Sequence, residues 1–147
     1  MLLCSPEAYS CSCADPSARE KFRSADLVFV GQAVDYNEAP SNDHAINYIV
    51  TFKVEKRWKG PKGSEITLAW MFDSPGMCND LPLVKGERYL IYSGRQTVNY
   101  KGHKKEELIV ETDCGPNHLA KYHEKEIRKL NDFWFRMFAR MYPFPKF

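Results

Sequence analysis

Two cysteines one residue apart, in Cys11-Ser12-Cys13, are the residues of this chain best suited to build a chemical device. A disulfide needs Cα atoms about 4.4–6.8 Å apart with converging Cβ vectors, so two cysteines flanking one small residue bond poorly to each other. Each is expected to reach a distant partner, and the later cysteines are Cys78 and Cys114. Structural zinc centres draw on close ligand pairs such as Cys-x-x-Cys, whereas Cys78 and Cys114 each stand alone. Disulfides are therefore the expected chemistry, with no intrinsic metal. Setting aside an 11–13 bridge leaves two connectivities open: 11–78 with 13–114, or the crossed pair. Either clamps an extended tripeptide to two remote parts of the domain, each long loop contributing about 4 kcal/mol in the chain-entropy picture. Disulfides persist in oxidising compartments, which predicts an extracytoplasmic, secreted or periplasmic protein.

The residues ahead of the tripeptide fit that location. Ala8 and Ser10 are small residues at the −3 and −1 places of a signal-peptidase site, so residues 1–10 read as a signal-peptide remnant or leader whose removal frees Cys11 as the N-terminus. A lipid anchor on Cys4 is the minor alternative, disfavoured by bulky Leu3 just before it.

The rest of the chain must position this clamp. The 147 residues suit one domain, and a formal net charge of +2 argues for neither nucleic acid nor an acidic partner. Ser17 to Ala25 predicts a short capped helix, with Glu20 three residues after Ser17. Leu27 to Val34 then predicts a strand bent at Gly31. Tyr48, Val50, Phe52 and Val54 alternate along a long half-buried strand over 47–58, and a glycine turn leads to a third over 65–70. Arg88 to Tyr92 and Leu108 to Thr112 predict two more, separated by a solvated turn over 96–107. Asn117 is expected to open the last helix, with Leu119, Tyr122, Glu126/Ile127 and Leu130 at helical spacing and many charges between them. The expected fold is mainly β, a five-stranded OB-like closed barrel with a short N-terminal and a C-terminal helix, since closure removes exposed edges. Seven strands for a sandwich are not found.

Residues 131–147 hold seven aromatics among Arg136, Arg140, Lys146 and a single acid, Asp132. They read as a tail continuing the helix to Met141 on a stripe through Trp134 and Met137, with Phe133 and Phe135 off it. Covering the barrel is its first expected role, and peripheral membrane contact the second.

In Cys11-Ser12-Cys13, in Ser24-Ala25-Asp26-Leu27-Val28-Phe29-Val30-Gly31, in Val54-Glu55-Lys56-Arg57-Trp58-Lys59-Gly60, in Gly86-Glu87-Arg88-Tyr89-Leu90-Ile91-Tyr92 and in Cys114 before the closing helix, the chain resembles the netrin-like (NTR) domain. Within that family it is similar to the N-terminal inhibitory domain of tissue inhibitors of metalloproteinases (TIMP-like) and its bacterial relatives, over roughly residues 11–130. The resemblance implies an OB barrel with disulfides Cys11–Cys78 and Cys13–Cys114. It also implies an inhibitory wedge, in which the α-amine and carbonyl of a free Cys11 chelate a protease's catalytic zinc and Ser12 points to its specificity pocket, with Cys13 holding the other side. A catalytic zinc keeps an open position that such a bidentate group fills, and an α-amine pKa of about 7.7–8.0 lets zinc displace its proton near neutral pH.

A secreted or periplasmic protein- or ligand-binding module without inhibitory action is the favoured reading, and inhibition of an extracellular zinc metalloproteinase through Cys11 the alternative. No enzyme is expected, because Gly-x-Ser-x-Gly, His-Glu-x-x-His and phosphate-loop motifs are missing and His118 and His123 fall on different sides of a helix. No cofactor is expected. Trp58, Trp70 and Tyr89, the candidate stacking platforms for nucleic acid, read as core.

Overall fold

The structure, a computed structural model, describes residues 17–43, 46–71, 83–111 and 119–141, with the side chains at 111, 134–136 and 138–141 outside that description. Helix α1 (Ala18–Ser24) begins where its sequence signal lies. The Glu20 amide donates to Ser17 Oγ at 3.2 Å and the Ser17 amide donates back to Glu20 Oε2 at 3.0 Å, two amides that the helix start leaves without partners. Ala25 is extended and ends the helix. Asp26 then joins two strands, its amide donating to Ser93 O and its carboxylate accepting from the Arg95 amide at 2.8 Å.

Five strands follow: β1 (Leu27–Glu38), β2 (Ile46–Lys59), β3 (Glu65–Met71), β4 (Arg88–Tyr100) and β5 (His103–Glu111). The sheet order is β1-β2-β3-β5-β4, with β4 also hydrogen-bonded back to β1, so every strand has a neighbour on both sides. All ladders are antiparallel except β3 with β5. The solvated turn expected over 96–107 is a correction: Gln96 to Tyr100 pairs with His103 to Glu107, and only Lys101 and Gly102 turn. Both have positive φ, 50° and 87°, the hairpin geometry whose twist matches its strands. Charge hid these strands, because on the β4 side Val98 alone supplies a fully buried apolar side chain among Arg95, Gln96, Thr97 and Asn99.

Three apolar clusters hold the sheet among the described residues, one of them around Ile46, Met71, Val98 and Ile109, and β1 belongs to the other two. Leu27 and Phe29 point into a cluster with Phe52, Trp70, Tyr89 and Ile91, while Val28 and Val30 point outward to Phe22, Trp58, Leu90 and Leu130. Burial on both faces is why Leu27-Val28-Phe29-Val30 reads as a continuous apolar run instead of an alternation. Phe52 meets Phe29 edge-on at 5.5 Å and Tyr89 at 6.0 Å between centroids, the geometry that the ring quadrupoles favour.

The outer layer comes from α1 and from α2 (Glu124–Met141), which runs to Met141 as expected. Its start is a second correction. Leu119 forms a strand-like bridge to Tyr89, residues Ala120–Tyr122 make one 3₁₀ turn, and Tyr122 is 64% exposed. Asn117 lies outside the described residues. A third concerns Phe133, expected off the stripe, which meets Phe22 edge-on at 5.4 Å. The contact stripe steps by three, through Ile127, Leu130 and Phe133, so it swings toward α1 instead of following spacing of four.

Gly31 sits at a register shift in the β1–β2 ladder, as its position suggested. A Cβ there would lie 2.6 Å from Lys53 O, closer than a carbon and a backbone oxygen tolerate. Gly31→Ala is expected to cost about 2 kcal/mol, the scale of overpacking, read as a lower urea midpoint with an unchanged slope. An unchanged midpoint would show that the bend does not require glycine.

Candidate functional site

The parallel β3–β5 pairing decides where the cysteine-bearing segments attach. Its last pair is Met71 opposite Glu111, so the chain leaves β3 and β5 side by side, in the same direction. The segment carrying Cys78 returns at Leu83 and the one carrying Cys114 returns at Leu119, each five residues past its cysteine. Both leucines are buried in the cluster that holds Tyr89.

Tyr89 ties the two returns together. Its hydroxyl accepts the Val84 amide at 2.8 Å, and its backbone bridges to Leu119. Burial pushes the Tyr89 hydroxyl above its ordinary pKa, with Glu87 adding to the shift and the Val84 amide opposing it, so the ring stays neutral and proton-bearing. Cys4, Cys11, Ser12, Cys13, Cys78 and Cys114 themselves lie outside the described residues, as do both bridges and the wedge. What the fold supplies is their anchorage: Met71 and Glu111 as neighbouring exits, and Leu83 and Leu119 as neighbouring returns.

A polar junction that sequence reasoning missed holds the helices on the sheet. Glu126 of α2 receives Lys21 Nζ of α1 at 2.6 Å, the Tyr92 hydroxyl of β4 at 2.7 Å, and lies 3.2 Å from Nδ1 of His123. Lys21 Nζ also lies 5.0 Å from the Tyr92 ring centroid. Burial on its own would raise the Glu126 carboxyl, but hydrogen bonds from His123, Lys21 and Tyr92 outweigh it and pull the pKa from 4.5 to about 2. Tyr92 moves the other way, its proton held well above the usual range by burial and then by the neighbouring carboxylate. The His123–Glu126 spacing of three was visible in the sequence; Lys21 and Tyr92 come from distant elements and carried no local signal.

Further polar contacts fasten the same layer. Trp58 Nε1 donates to Asn131 Oδ1 at 3.1 Å, and Lys59 Nζ donates to the Phe22 carbonyl at 3.0 Å, one of the carbonyls that α1 leaves free at its C-terminus. Arg88 grips Glu55 through two nitrogens, at 2.8 Å each, on the exposed surface. Trp58, Trp70 and Tyr89 are 2%, 4% and 5% exposed, so none offers a face on which a base stacks. His118 lies outside the described residues, among which no group of three His, Cys, Asp or Glu is placed to hold a metal ion. Among them, too, no helix is long and apolar enough to cross a membrane. Compared with known proteins, the chain matches no family model and no curated protein.

Glu126 makes a pH prediction with a definite sign. A carboxylate whose folded pKa is depressed adds stability above its unfolded pKa, here about 4.5, and loses it as pH falls toward about 2. The side chain is 15% exposed, so solvent screening is limited and the contribution is on the order of 3 kcal/mol. Glu126→Gln is therefore expected to be less stable than wild type in urea at pH 7, the gap narrowing below about pH 4.5 and closing only near about pH 2. A gap that stays constant across this range would mean that the charge of Glu126 is not what holds the helices.

Proposed function

We propose that the chain is an extracytoplasmic TIMP-like binding domain, and that its ring of five ladders is an OB-like closed barrel of the netrin-like type. In this reading it acts by binding, not by catalysis. The binding face is the barrel end at which residues 72–82 and 112–118 leave, with Cys11-Ser12-Cys13 drawn across it by disulfides Cys11–Cys78 and Cys13–Cys114. The observation that carries it is the side-by-side exit and return of the two segments, Met71 beside Glu111 and Leu83 with Leu119 around Tyr89. One tripeptide can bridge to two partners only if those partners reach the same place, because each bridge demands Cα atoms about 4.4–6.8 Å apart. A tripeptide clamped on both sides presents its groups already ordered, which lowers the entropy cost of docking on a partner protein.

The second reading, inhibition of an extracellular zinc metalloproteinase, rests on Ala8 and Ser10. Cleavage after Ser10 would free the Cys11 amine, which with the Cys11 carbonyl forms a bidentate zinc ligand.

Intact-mass and peptide mapping of the exported chain, before and after reduction, tests the clamp. Four thiols alkylated only after reduction, with peptides linking Cys11 to Cys78 and Cys13 to Cys114, are expected. Labelling of all four without reductant would remove the binding face as proposed. For the second reading, a product starting at Cys11 should inhibit a zinc endopeptidase and lose that inhibition on N-acetylation; inhibition unaffected by acetylation would exclude chelation by the amine.

A further inference from the structure

On the helix side of the molecule, a cleft of about 680 Å³ opens between the first turn of α1, the 3₁₀ turn and the first turns of α2. That volume lies in the range of small-ligand sites. Five Lys or Arg residues line it against two carboxylates, a formal +3 where the whole chain carries +2. Charge that is balanced over the rest of the surface is thus concentrated here.

The carboxylates are already engaged. Glu126 is held by Lys21 at 2.6 Å, and Glu124 faces Arg88 of β4 at 3.8 Å. Among the described residues, Lys125, Arg128 and Lys129 form no ion pair, and Lys121 only stacks its ammonium 5.1 Å from the centroid of the exposed Tyr122 ring. Lys121, Lys125 and Lys129 recur every four residues, and the three α2 cations project from successive turns into one cleft. Keeping several like charges together without counter-ions is unfavourable unless an anion neutralises them.

We propose that this cleft binds a small ligand carrying two or more closely spaced oxyanions, phosphate or sulfate esters, with Lys121, Lys125, Arg128 and Lys129 as its cationic contacts and Tyr122 as a flat apolar wall. Lysine ammoniums are point charges that suit oxyanions in several orientations, and Arg128 adds a fork for bidentate contact. The cleft is defined by the described residues that line it and does not rest on the disulfide clamp.

Isothermal titration calorimetry of the full chain with tripolyphosphate, and in a second arm with a polysulfated disaccharide, tests this. Saturable one-site binding is expected, weakened about tenfold or more by Lys125→Glu with Lys129→Glu, a loss of about 1.4 kcal/mol. The matched charge reversal Lys101→Glu with Lys104→Glu, in the β4–β5 hairpin, should change affinity by no more than about twofold, as a distant screened charge does. Arg128→Gln, which introduces no like-charge contact, should weaken binding in the same direction, and both variants should keep the wild-type melting temperature. Tighter binding of either probe names the ester, and both outcomes support the cleft. No saturable heat with either probe, or equal weakening by the hairpin and cleft reversals, would overturn it.

Discussion

The structure depends on one strand being buried from both sides. Leu27 and Phe29 close the interior against Phe52 and Tyr89, while Val28 and Val30 carry the helical layer of Phe22, Trp58 and Leu130. Fully burying side chains of this size is worth about 1.5–3 kcal/mol each, so these few residues of β1 join two apolar layers that neither could sustain alone. Because β1 also pairs with both β2 and β4, any displacement of it breaks two ladders and separates two clusters at once. Gly31 belongs to the same constraint: the strand must approach Lys53 too closely for a side chain at that point.

Apolar contact is non-directional, so it holds the helices on the sheet without choosing their rotation. The choice falls to polar pairs with strict geometry. Glu126 needs Lys21, His123 and Tyr92 together, and Trp58 needs Asn131, so α2 satisfies them in one orientation only. A half-buried carboxylate left without those donors would be costly, which makes the junction a specifier of arrangement as well as a source of stability. The same rotation turns Lys125, Arg128 and Lys129 away from the sheet and toward the cleft beside α1.

The exits of β3 and β5 and the cleft beside α1 are thus built by different physics. At the strand end, backbone pairing of β3 with β5 and the burial of Leu83 and Leu119 bring two separate segments to one place. On the helix side, positive charge accumulates in the cleft that α1, the 3₁₀ turn and α2 line. Strands are stiff and their ladders leave little freedom, which suits a clamp; long lysine side chains on a helix rearrange readily, which suits neutralisation of an anion.

Local features were legible in the sequence because their causes are local. The capping box of Ser17 and Glu20, the apolar run of β1, the alternation of β2 and the glycine bend all follow from residues within a turn or a strand length of one another. So did the assignment of a mainly β chain with five strands and two helices. The signal failed where burial was supplied from far away: β4 and β5 extend into charged sequence because Val98 and Ile109 find Ile46 and Met71, and Phe133 turns inward because Phe22 is there to receive it. Only the tertiary structure decided that Lys21, Tyr92 and Glu126 meet, that Tyr89 anchors both returning segments, and that Lys21 of α1 joins the four cations of the 3₁₀ turn and α2 along one cleft, since those distances are set by ladders and packed layers joining residues remote in the chain.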